Sequence, residues 1–266
     1  MHLIFLGTGP ANPIPRKGCE CVSCREARSG GRSARLRSAA LLRIGSKNIL
    51  LDAGPDILKQ IKRERIKKID AALLTHGHSD AAHGIAKLDG WLERHSLSPV
   101  PIWTDNPTRE RLKKRFKQLN NLKFKELQAG KTISIGKARI RPFSVLHGLS
   151  GDFPAYGFVY KKTLAYASDV SKIPAASGRF LKGVKIFVLD GAMYLNKRMY
   201  SHLAADQSID LAAKLKISRL ILTQIGHSYP PHSVAQKHIR KYLAQRKTSK
   251  PVQVTLAYDG MRITGG

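Results

Sequence analysis

Three side chains that can bind a metal ion follow a short apolar run in the first third of the chain. The run at 70–75 favours a β-strand, and His76, His78 and Asp80 come directly after it. Side chains at positions i and i+2 of an extended segment project to the same side, so both imidazoles can reach one cation. Imidazole and carboxylate ligands suit zinc, and they suit iron or manganese less decisively. The segment therefore predicts a metal site at the end of a strand.

The three cysteines indicate a second metal site. Cys19, Cys21 and Cys24 lie within six positions, in a polar segment flanked by glycine and proline. A disulfide framework would use paired cysteines spread along the chain, whereas a tight, odd-numbered cluster favours a metal ion with a fourth ligand from elsewhere. Three thiolates this close repel one another unless a cation neutralises them. The cluster predicts structural zinc rather than free thiols, and it fits a reducing compartment.

Composition narrows the class of protein. The chain has 266 residues, 42% of them apolar, which is enough for one large domain with a sizeable core. No run is long enough to span a bilayer, and the first residues are too short and uncharged a stretch for a secretory signal, so we expect a soluble cytoplasmic protein.

The 47 Lys and Arg residues outnumber the 18 Asp and Glu residues and give a net charge of +29. This charge favours phosphate esters, RNA or DNA as partners, although a basic proteome or a thermophilic source would produce the same balance.

The apolar pattern predicts the strands and helices that must position these side chains. Short apolar runs separated by turns predict hairpins at 38–52, 132–145 and 156–167 and further strands at 2–6, 101–104, 184–190, 219–223 and 252–258. Amphipathic stretches predict helices at 55–68, 80–95, 106–119, 204–216 and 232–245. The helix at 106–119 carries six cations in little more than two turns. Such a run is most often a solvated face, but with so few acids it is also a candidate surface for a phosphate backbone.

The segment 73–84 resembles the His-x-His-x-Asp-His signature of the metallo-β-lactamase-fold hydrolases, with Ala81 in the place of the third histidine. The Gly-Cys-x-Cys-x-x-Cys insert ahead of it is similar to that of the phosphodiesterase of the carbon–phosphorus lyase pathway and of the pyrroloquinoline-quinone biosynthesis protein B group. The resemblance covers nearly the whole chain. It implies an α/β protein with the four-layer αββα fold, in a single domain at 1–266 with a zinc-knuckle loop at about 16–37.

The resemblance also implies a set of metal ligands. His147 and Asp169 each follow a predicted strand at the places of the family's next two ligands, so they would join His76 and His78 around one active-site ion, zinc or else manganese or iron. A structural zinc would be held by the cysteine cluster and His227, which gives the set Cys19, Cys21, Cys24 and His227.

A second active-site ion is in question. In binuclear members of the family it uses the motif's Asp and third His, the bridging Asp and a late His. This chain keeps Asp80 and Asp169, but Ala81 and Gln224 stand at the two histidine positions. Since two nitrogen donors are lost, we expect one firmly bound active-site metal.

Two further residues carry implied roles. His202 precedes a predicted helix, where related phosphodiesterases have a histidine that contacts the scissile phosphate or helps the leaving group; helix capping or packing is the alternative. Asp52, at the end of a predicted strand, would orient a ligand histidine, or is simply a turn residue.

Three functions follow from these features. The leading hypothesis is a metal-dependent phosphodiesterase for cyclic nucleotides or RNA, in which Asp80 orients a water or acts as base and His202 contacts the phosphate. The alternative is a nucleic-acid-binding protein that kept the fold but lost efficient catalysis. The third is a metal-dependent oxidoreductase or cofactor-biosynthesis protein, although no flavin or redox motif is apparent. The expected partners are a phosphate-containing substrate, RNA or DNA and, by resemblance, a second copy in a homodimer, but no membrane.

Overall fold

A computed structural model describes residues 1–148, 154–246 and 252–265 of the chain. The strands, in chain order, are β1 (His2–Gly7), β2 (Ala39–Ile44), β3 (Lys47–Leu51), β4 (Ala71–Leu73), β5 (Val100–Thr104), β6 (Leu122–Glu126), β7 (Ile133–Ile135), β8 (Ala138–Val145), β9 (Ala155–Tyr160), β10 (Leu164–Ala167), β11 (Ile186–Asp190), β12 (Arg219–Thr223), β13 (Gln253–Leu256) and β14 (Arg262–Thr264). The helices are α1 (Val22–Arg28), α2 (Ile57–Arg63), α3 (Ser79–Ala82), α4 (Ile85–Arg94), α5 (Asn106–Arg115), α6 (Ala175–Leu181), α7 (Ala205–Lys214) and α8 (His232–Ala244).

The strands form two seven-stranded sheets with helices on their outer faces. One sheet has the order β14-β1-β2-β3-β4-β5-β6 and the other the order β13-β12-β11-β10-β9-β8-β7. A single cluster of buried side chains contains Phe5 and Leu73 of the first sheet and Tyr166 and Val188 of the second, so the two sheets share an apolar interface. This arrangement confirms the predicted four-layer αββα fold.

Helices cover the outer face of each sheet. Side chains of α2, α4 and α5 pack on the first sheet, and Trp91 of α4 lies in that layer as a buried residue. Side chains of α6, α7 and α8 pack on the second sheet. All five residues of Ile186–Asp190 are buried because the strand is covered on both faces, which explains its continuous apolar run.

The sheet topology gathers the ends of several strands at one edge. Strands β10, β11 and β12 are parallel, and β8 runs in the same direction because β9 pairs antiparallel with both β8 and β10. The residues that directly follow these strands therefore meet at one edge of the second sheet. In such folds ligands bind in the crevice beyond the carboxyl ends of the strands. His147, Asp169 and Gln224 all follow strands of this group, and Asp190 ends β11.

The predicted helix at 80–95 is two helices, α3 and α4, separated at Gly84. The N–H of Gly84 donates to the carbonyl of Ala53 at 2.7 Å, and a Cβ at Gly84 would lie 1.9 Å from the carbonyl oxygen of Gly54. A continuous helix with side chains there would lose this close approach. The loop after β3 is thus held against the segment that carries His76 and His78.

Several other boundaries differ from the predictions. The segment at 16–37 contains the seven-residue helix α1, which begins where the Sγ of Cys21 accepts from the N–H of Cys24. Helix α5 ends at Arg115 because Phe116 has an extended backbone, rather than continuing to residue 119. The predicted strands missed β6 and β14. Within the described part of the chain, no helix combines the length and apolar character needed to cross a membrane.

Candidate metal centre

A buried hydrogen-bond relay fixes the ring of His76. The Asp52 carboxylate, 1% exposed, accepts from the backbone N–H of Thr75 at 2.7 Å and from its hydroxyl at 2.9 Å. The Thr75 hydroxyl lies 2.9 Å from Nδ1 of His76. Since the hydroxyl donates its only proton to Asp52, it accepts one from Nδ1, and Nε2 of His76 carries none. Asp52, predicted to orient a ligand histidine, thus reaches the ring of His76 through Thr75.

The Nε2 atom of His76 is buried and has no hydrogen-bond partner in the structure. Burial lowers the pKa of His76 to about 3, so the ring is neutral. An unpaired buried nitrogen costs roughly 1–3 kcal/mol when nothing compensates it. In a neutral imidazole, the nitrogen that carries no proton can donate its lone pair to a metal ion. His76 therefore fits the role of a metal ligand.

His78 and His147 converge on the same point. Nδ1 of His78 lies 3.2 Å from Nε2 of His147, and ligand atoms of His76, His78 and His147 all lie within 4.8 Å of one another. Nδ1 of His147 donates to the carbonyl of Ser201 at 2.9 Å, which leaves its Nε2 free of a proton in the neutral ring. Three imidazoles from two sheets therefore present nitrogen atoms to one small volume.

Asp169 lies beside this cluster and is held by Gln224. Its Oδ1 is 4.0 Å from Nε2 of His147 and accepts from Nε2 of Gln224 at 2.6 Å. Burial opposes ionisation, but the surrounding histidines hold the pKa of Asp169 below its ordinary value. The side chain of Gln224 is buried, and its Oε1 has no hydrogen-bond partner among the described residues. One carboxylate oxygen that could bind a second cation thus receives an amide N–H.

Asp80 lies on α3 and is half-buried. Its side chain lines a cavity whose lining also includes His78, His147 and Asp169. Among the described residues, its carboxylate belongs to neither of the ligand groups around His147, which are His76 with His78 and Asp169 with His202. Burial and the nearby charge of Asp169 raise the pKa of Asp80 to about 6. The structure therefore places Asp80 at the wall of the cavity, and its predicted roles as ligand and catalytic group stay predictions.

His202 forms a buried ion pair with Asp190. Nδ1 of His202 lies 2.6 Å from Oδ2 of Asp190, whose two oxygens also accept from the N–H groups of Val170 and Ala192. Burial alone would lower the pKa of His202, but the charge of Asp190 and its hydrogen bond raise it to about 9. The ring centroids of His202 and His147 are 4.9 Å apart. A protonated imidazole therefore stands next to the histidine cluster.

These side chains line an open cavity of about 920 Å³. Its lining includes His78 and His147 of the histidine cluster, the nearby Asp80, Asp169 and His202, and also Arg16 and His227. Met199 and Tyr200 lie at the cavity with exposed fractions of 45% and 67%, which gives it a partly apolar rim. The cavity therefore offers the cations of His202 and Arg16, together with the imidazoles of His78 and His147, to a molecule from solvent.

The predicted Cys3His group is brought together at the far side of this cavity. The Sγ atoms of Cys19, Cys21 and Cys24 lie 3.2, 3.3 and 3.2 Å from Nε2 of His227. One imidazole nitrogen has a single lone pair and cannot accept from three thiols at once, so this convergence fits a cation between the four atoms. The N–H of Cys24 donates to Cys21 and lowers the pKa of the Cys21 thiol.

Three contributors to the site were not assigned a role from the sequence. Thr75 supplies the hydroxyl of the relay, Asp190 holds His202, and Ser201 fixes the ring of His147 through its carbonyl. A carboxylate at the end of a buried strand was the available signal for Asp190. Nothing local distinguishes Thr75 or Ser201 from other hydroxyl residues.

Residues 47–225 match the family model described as the beta-lactamase superfamily domain. A crystal structure of a diphosphatase from the PhnP family is 30% identical, with a TM-score of 0.84, and the match covers 99% of this chain and 97% of that one. Zinc-bound PqqB from Methylobacterium extorquens is 18% identical, with a TM-score of 0.80, over 99% of this chain and 100% of that one. The second likeness concerns the fold alone.

Among curated proteins, an octanoyltransferase from Porphyromonas gingivalis is 26% identical over 268 residues. The match covers 98% of this chain and 51% of the relative, so the chain spans about half the length of the curated protein it matches.

Proposed function

The chain belongs to the beta-lactamase superfamily, and from this premise we propose that it is a metal-dependent hydrolase of phosphodiesters with one active-site metal ion. The observation that carries the proposal is the buried, unpaired Nε2 of His76. It faces the nitrogens of His78 and His147, and a protonated His202 lies beside them. This combination of imidazole nitrogens and one acid suits cleavage of an anionic ester.

His76, His78 and His147 would hold the ion, with Asp169 beside them. When bound, a divalent ion supplies Lewis-acid chemistry toward a phosphoryl oxygen. The carboxylate relay through Thr75 contributes by fixing the tautomer of His76, so that Nε2 and not Nδ1 presents its lone pair.

His202 is the proposed proton donor. Because Nδ1 is engaged by Asp190, its Nε2–H is the group available to an oxygen in the cavity. With a pKa raised to about 9, the ring carries its proton at neutral pH and can donate to a phosphate oxygen or to the departing oxygen. Asp190 is a positioning residue that orients the ring and stabilises its charge.

Asp80 is the proposed base or water-orienting group. Its pKa, raised to about 6, leaves the carboxylate ionised at neutral pH but basic enough to accept a proton. It lies in the wall of the cavity that also contains His78 and His202. The acid and the base thus have opposite protonation states near pH 7.

Gln224 supports the single-metal part of the proposal. A second cation beside Asp169 would compete with the amide N–H that donates to Oδ1 at 2.6 Å. Ala81, 4% exposed, brings no donor atom in its side chain. The two nitrogen ligands that would favour zinc at a second site are therefore missing. Instead, the amide N–H of Gln224 donates to the Asp169 oxygen that a second ion would use.

A phosphodiester, such as a cyclic nucleotide or RNA, is the proposed substrate. The net charge of +29 attracts polyanions, and the similar structure of 30% identity is described as a diphosphatase, an enzyme of phosphorus chemistry. The similarity to an octanoyltransferase does not imply acyl transfer by this chain, because the chain spans only about half of that relative.

The test is hydrolysis of bis(p-nitrophenyl) phosphate and of 2′,3′-cyclic nucleotides by protein loaded with zinc, manganese or iron. We expect turnover by the wild-type chain and its loss in His76→Ala. His95→Ala removes a histidine that contacts the carbonyl and the ring of Trp91 on α4, outside the cavity, and serves as the matched control. Absence of turnover with every metal, in protein whose metal content equals that of His76→Ala, would overturn the proposal.

A further inference from the structure

A second depression, away from the histidine cluster, is lined by eight residues, five of which are cations. It has a volume of about 480 Å³ and lies where β7, β8 and β9 meet the end of α6. We call it the cation groove and define it by Arg139, Arg141, Lys161, Lys162, Arg179 and Phe180. No carboxylate is among the described residues that line it. The groove therefore presents five positive charges without a negative one.

The position of the groove follows from the sheet and the helix above it. Arg141 pairs with Val159 across β8 and β9 and shares a strand face with Phe143, which is buried under the helices of that side. The next residue toward the start of β8 on this face is Arg139. The outer face of the sheet thus changes from apolar to basic where α6 no longer covers it.

The cations of the groove are held by contacts other than ion pairs. Nε of Arg141 donates to the hydroxyl of Thr132 at 3.4 Å, Nη1 of Arg139 to the carbonyl of Gly136 at 3.1 Å, and Nζ of Lys162 to the carbonyl of Lys182 at 2.9 Å. Within the described ranges, none of the five takes part in a salt bridge, whereas Arg28, Arg198 and Arg262 each pair with a carboxylate. Their charge is therefore available to a ligand.

Phe180 orders two of the arginines. The guanidinium carbons of Arg179 and Arg141 lie 4.8 and 5.5 Å from the centre of its ring. A guanidinium packed on an aromatic ring keeps its N–H groups at the edge, where they can meet phosphate oxygens in a bidentate manner. Fewer side-chain conformations are then lost on binding than with free surface arginines.

The cation groove is remote from the histidine cluster, but strand β8 connects the two. Arg141 lies on β8, and His147 follows its end. Arg141 precedes His147 by six positions, and β8 joins them, which corresponds to about 20 Å along an extended chain. A small phosphate ester cannot occupy both places, whereas a polymer can. A groove of unneutralised cations at this distance suits a repeating anion.

We propose that the cation groove binds the phosphate backbone of a single-stranded nucleic acid, independently of the bound metal and of base sequence. The juxtaposition of Arg139 and Arg141 on β8, the two lysines of the β9–β10 turn and Phe180 with Arg179 on α6 carries the assignment. Contacts to phosphates position a nucleic acid without specifying its sequence, and they make its affinity depend steeply on salt.

The test is fluorescence anisotropy with a labelled single-stranded RNA of mixed sequence, titrated at 50 and 200 mM salt. In Arg141→Gln/Lys162→Gln/Arg179→Gln we expect affinity at 50 mM salt to fall about tenfold or more, and the salt slope to decrease by about 2. The matched control Lys113→Gln/Lys114→Gln/Lys117→Gln removes the same charge from exposed positions on and after α5 and is expected to change affinity less than threefold. Binding by metal-free protein is expected to equal that of the metal-loaded protein.

Four outcomes would overturn the assignment. Equal losses in both triple variants would mean that only net charge matters, and a larger loss in the α5 variant would place the contact there. Tighter binding of inorganic polyphosphate of matched length than of RNA would assign the groove to another anion. If the groove variant unfolds by circular dichroism, Lys161→Gln/Lys162→Gln replaces it, with about a fivefold loss expected and no loss counting against the groove. None of these outcomes depends on hydrolysis of an ester.

Discussion

The two clusters of metal-binding side chains in this chain border one cavity but are built in different ways. In the cysteine cluster, three ligands lie within six positions at the start of α1, and His227 closes the set as the fourth. In the histidine cluster, ligands come from the ends of strands in two sheets, and an open cavity adjoins them. Four protein ligands without an open position are typical of structural zinc, and three with an open side are typical of catalytic metals.

The difference also appears in the residues around each cluster. The histidines are oriented by partners that ligate nothing, such as Asp52 acting through Thr75 and the carbonyl of Ser201. The cysteines are oriented by the backbone of α1, since Cys21 accepts from the N–H of Cys24. Substitutions in the two regions should therefore separate activity from stability.

The largest effect is expected from His76→Ala. Loss of the nitrogen that has no other partner should remove the active-site metal and lower kcat/KM about a thousandfold or more, because a Lewis acid contributes several kcal/mol to such reactions. The melting temperature of the metal-free variant should fall only modestly, because the substitution removes a buried ring and its Nδ1 hydrogen bond to Thr75 but keeps the cysteine cluster and its metal. Steady-state kinetics and calorimetry on one preparation measure both. A collapse of stability with the loss of activity would contradict the division between the regions.

The opposite pattern is expected from Cys24→Ser. Cys24 is fully buried, and it packs with Ile14 and Ala27 in a small apolar cluster that has few other contacts to hold it. Losing its thiolate should release the structural metal and lower the melting temperature by several degrees, because metal binding there is coupled to folding. Differential scanning calorimetry with and without a chelator gives the size of the effect. An unchanged melting temperature with full metal content would argue against a structural ion.

Asp190→Asn probes the acid beside the histidine cluster. The neutral amide cannot hold the pKa of His202 near 9, so the ring loses its proton at lower pH. A proton donor is active below its pKa, so the alkaline limb of the kcat profile should move down toward the ordinary histidine pKa of about 6.5, with a loss of about thirtyfold at pH 8. A profile that keeps its alkaline limb would show that His202 is not the acid.

Thr75→Val tests the relay with a nearly isosteric change. Without the hydroxyl, nothing fixes the tautomer of His76, and metal affinity should fall about 10–100-fold. Thr104→Val is the matched control, because the Thr104 hydroxyl is buried at the end of a neighbouring strand and has no hydrogen-bond partner. Competition with a chromogenic chelator reports both affinities. Equal losses of metal affinity in the two variants would show that the Thr75 relay does not orient His76.

Gln224→Glu is the smallest and most specific change. The carboxylate takes away the N–H that Asp169 accepts and adds a negative charge beside it, so the metal-free protein should be less stable than the wild type. Added manganese should then restore stability more than it does for the wild type, because three carboxylates offer oxygen ligands to a hard ion. Gln118→Glu, an exposed change of the same charge, controls for net charge. A manganese response equal to that of the wild type would count against the role given to Gln224.

Sequence patterns predicted those parts of the molecule that depend on local spacing. The strand followed by His76 and His78 and the cysteine cluster of Cys19, Cys21 and Cys24 are of this kind. Most strands were also predicted, because buried runs such as 219–223 leave few alternatives. The partners His147, Asp169 and His227 came only from resemblance to a family, since residues distant in the chain meet through sheet topology.

Other features depend on tertiary contacts that no local pattern contains. The pair of His202 and Asp190 joins a loop to the end of β11. The break between α3 and α4 follows from the approach of Gly54 and Gly84, and the cation groove from where α6 ends over β8. The run of cations on α5 was visible in the sequence, whereas those of the groove are scattered along it.

The most direct test of the central claim is the metal content of the purified chain, measured by elemental analysis beside two single variants. We predict two ions per chain in the wild type, one in His76→Ala and one in Cys24→Ser, with kcat/KM lost only in the first. A single ion in the wild type that is lost in Cys24→Ser and kept in His76→Ala would contradict the account, because the histidine cluster would then hold no metal.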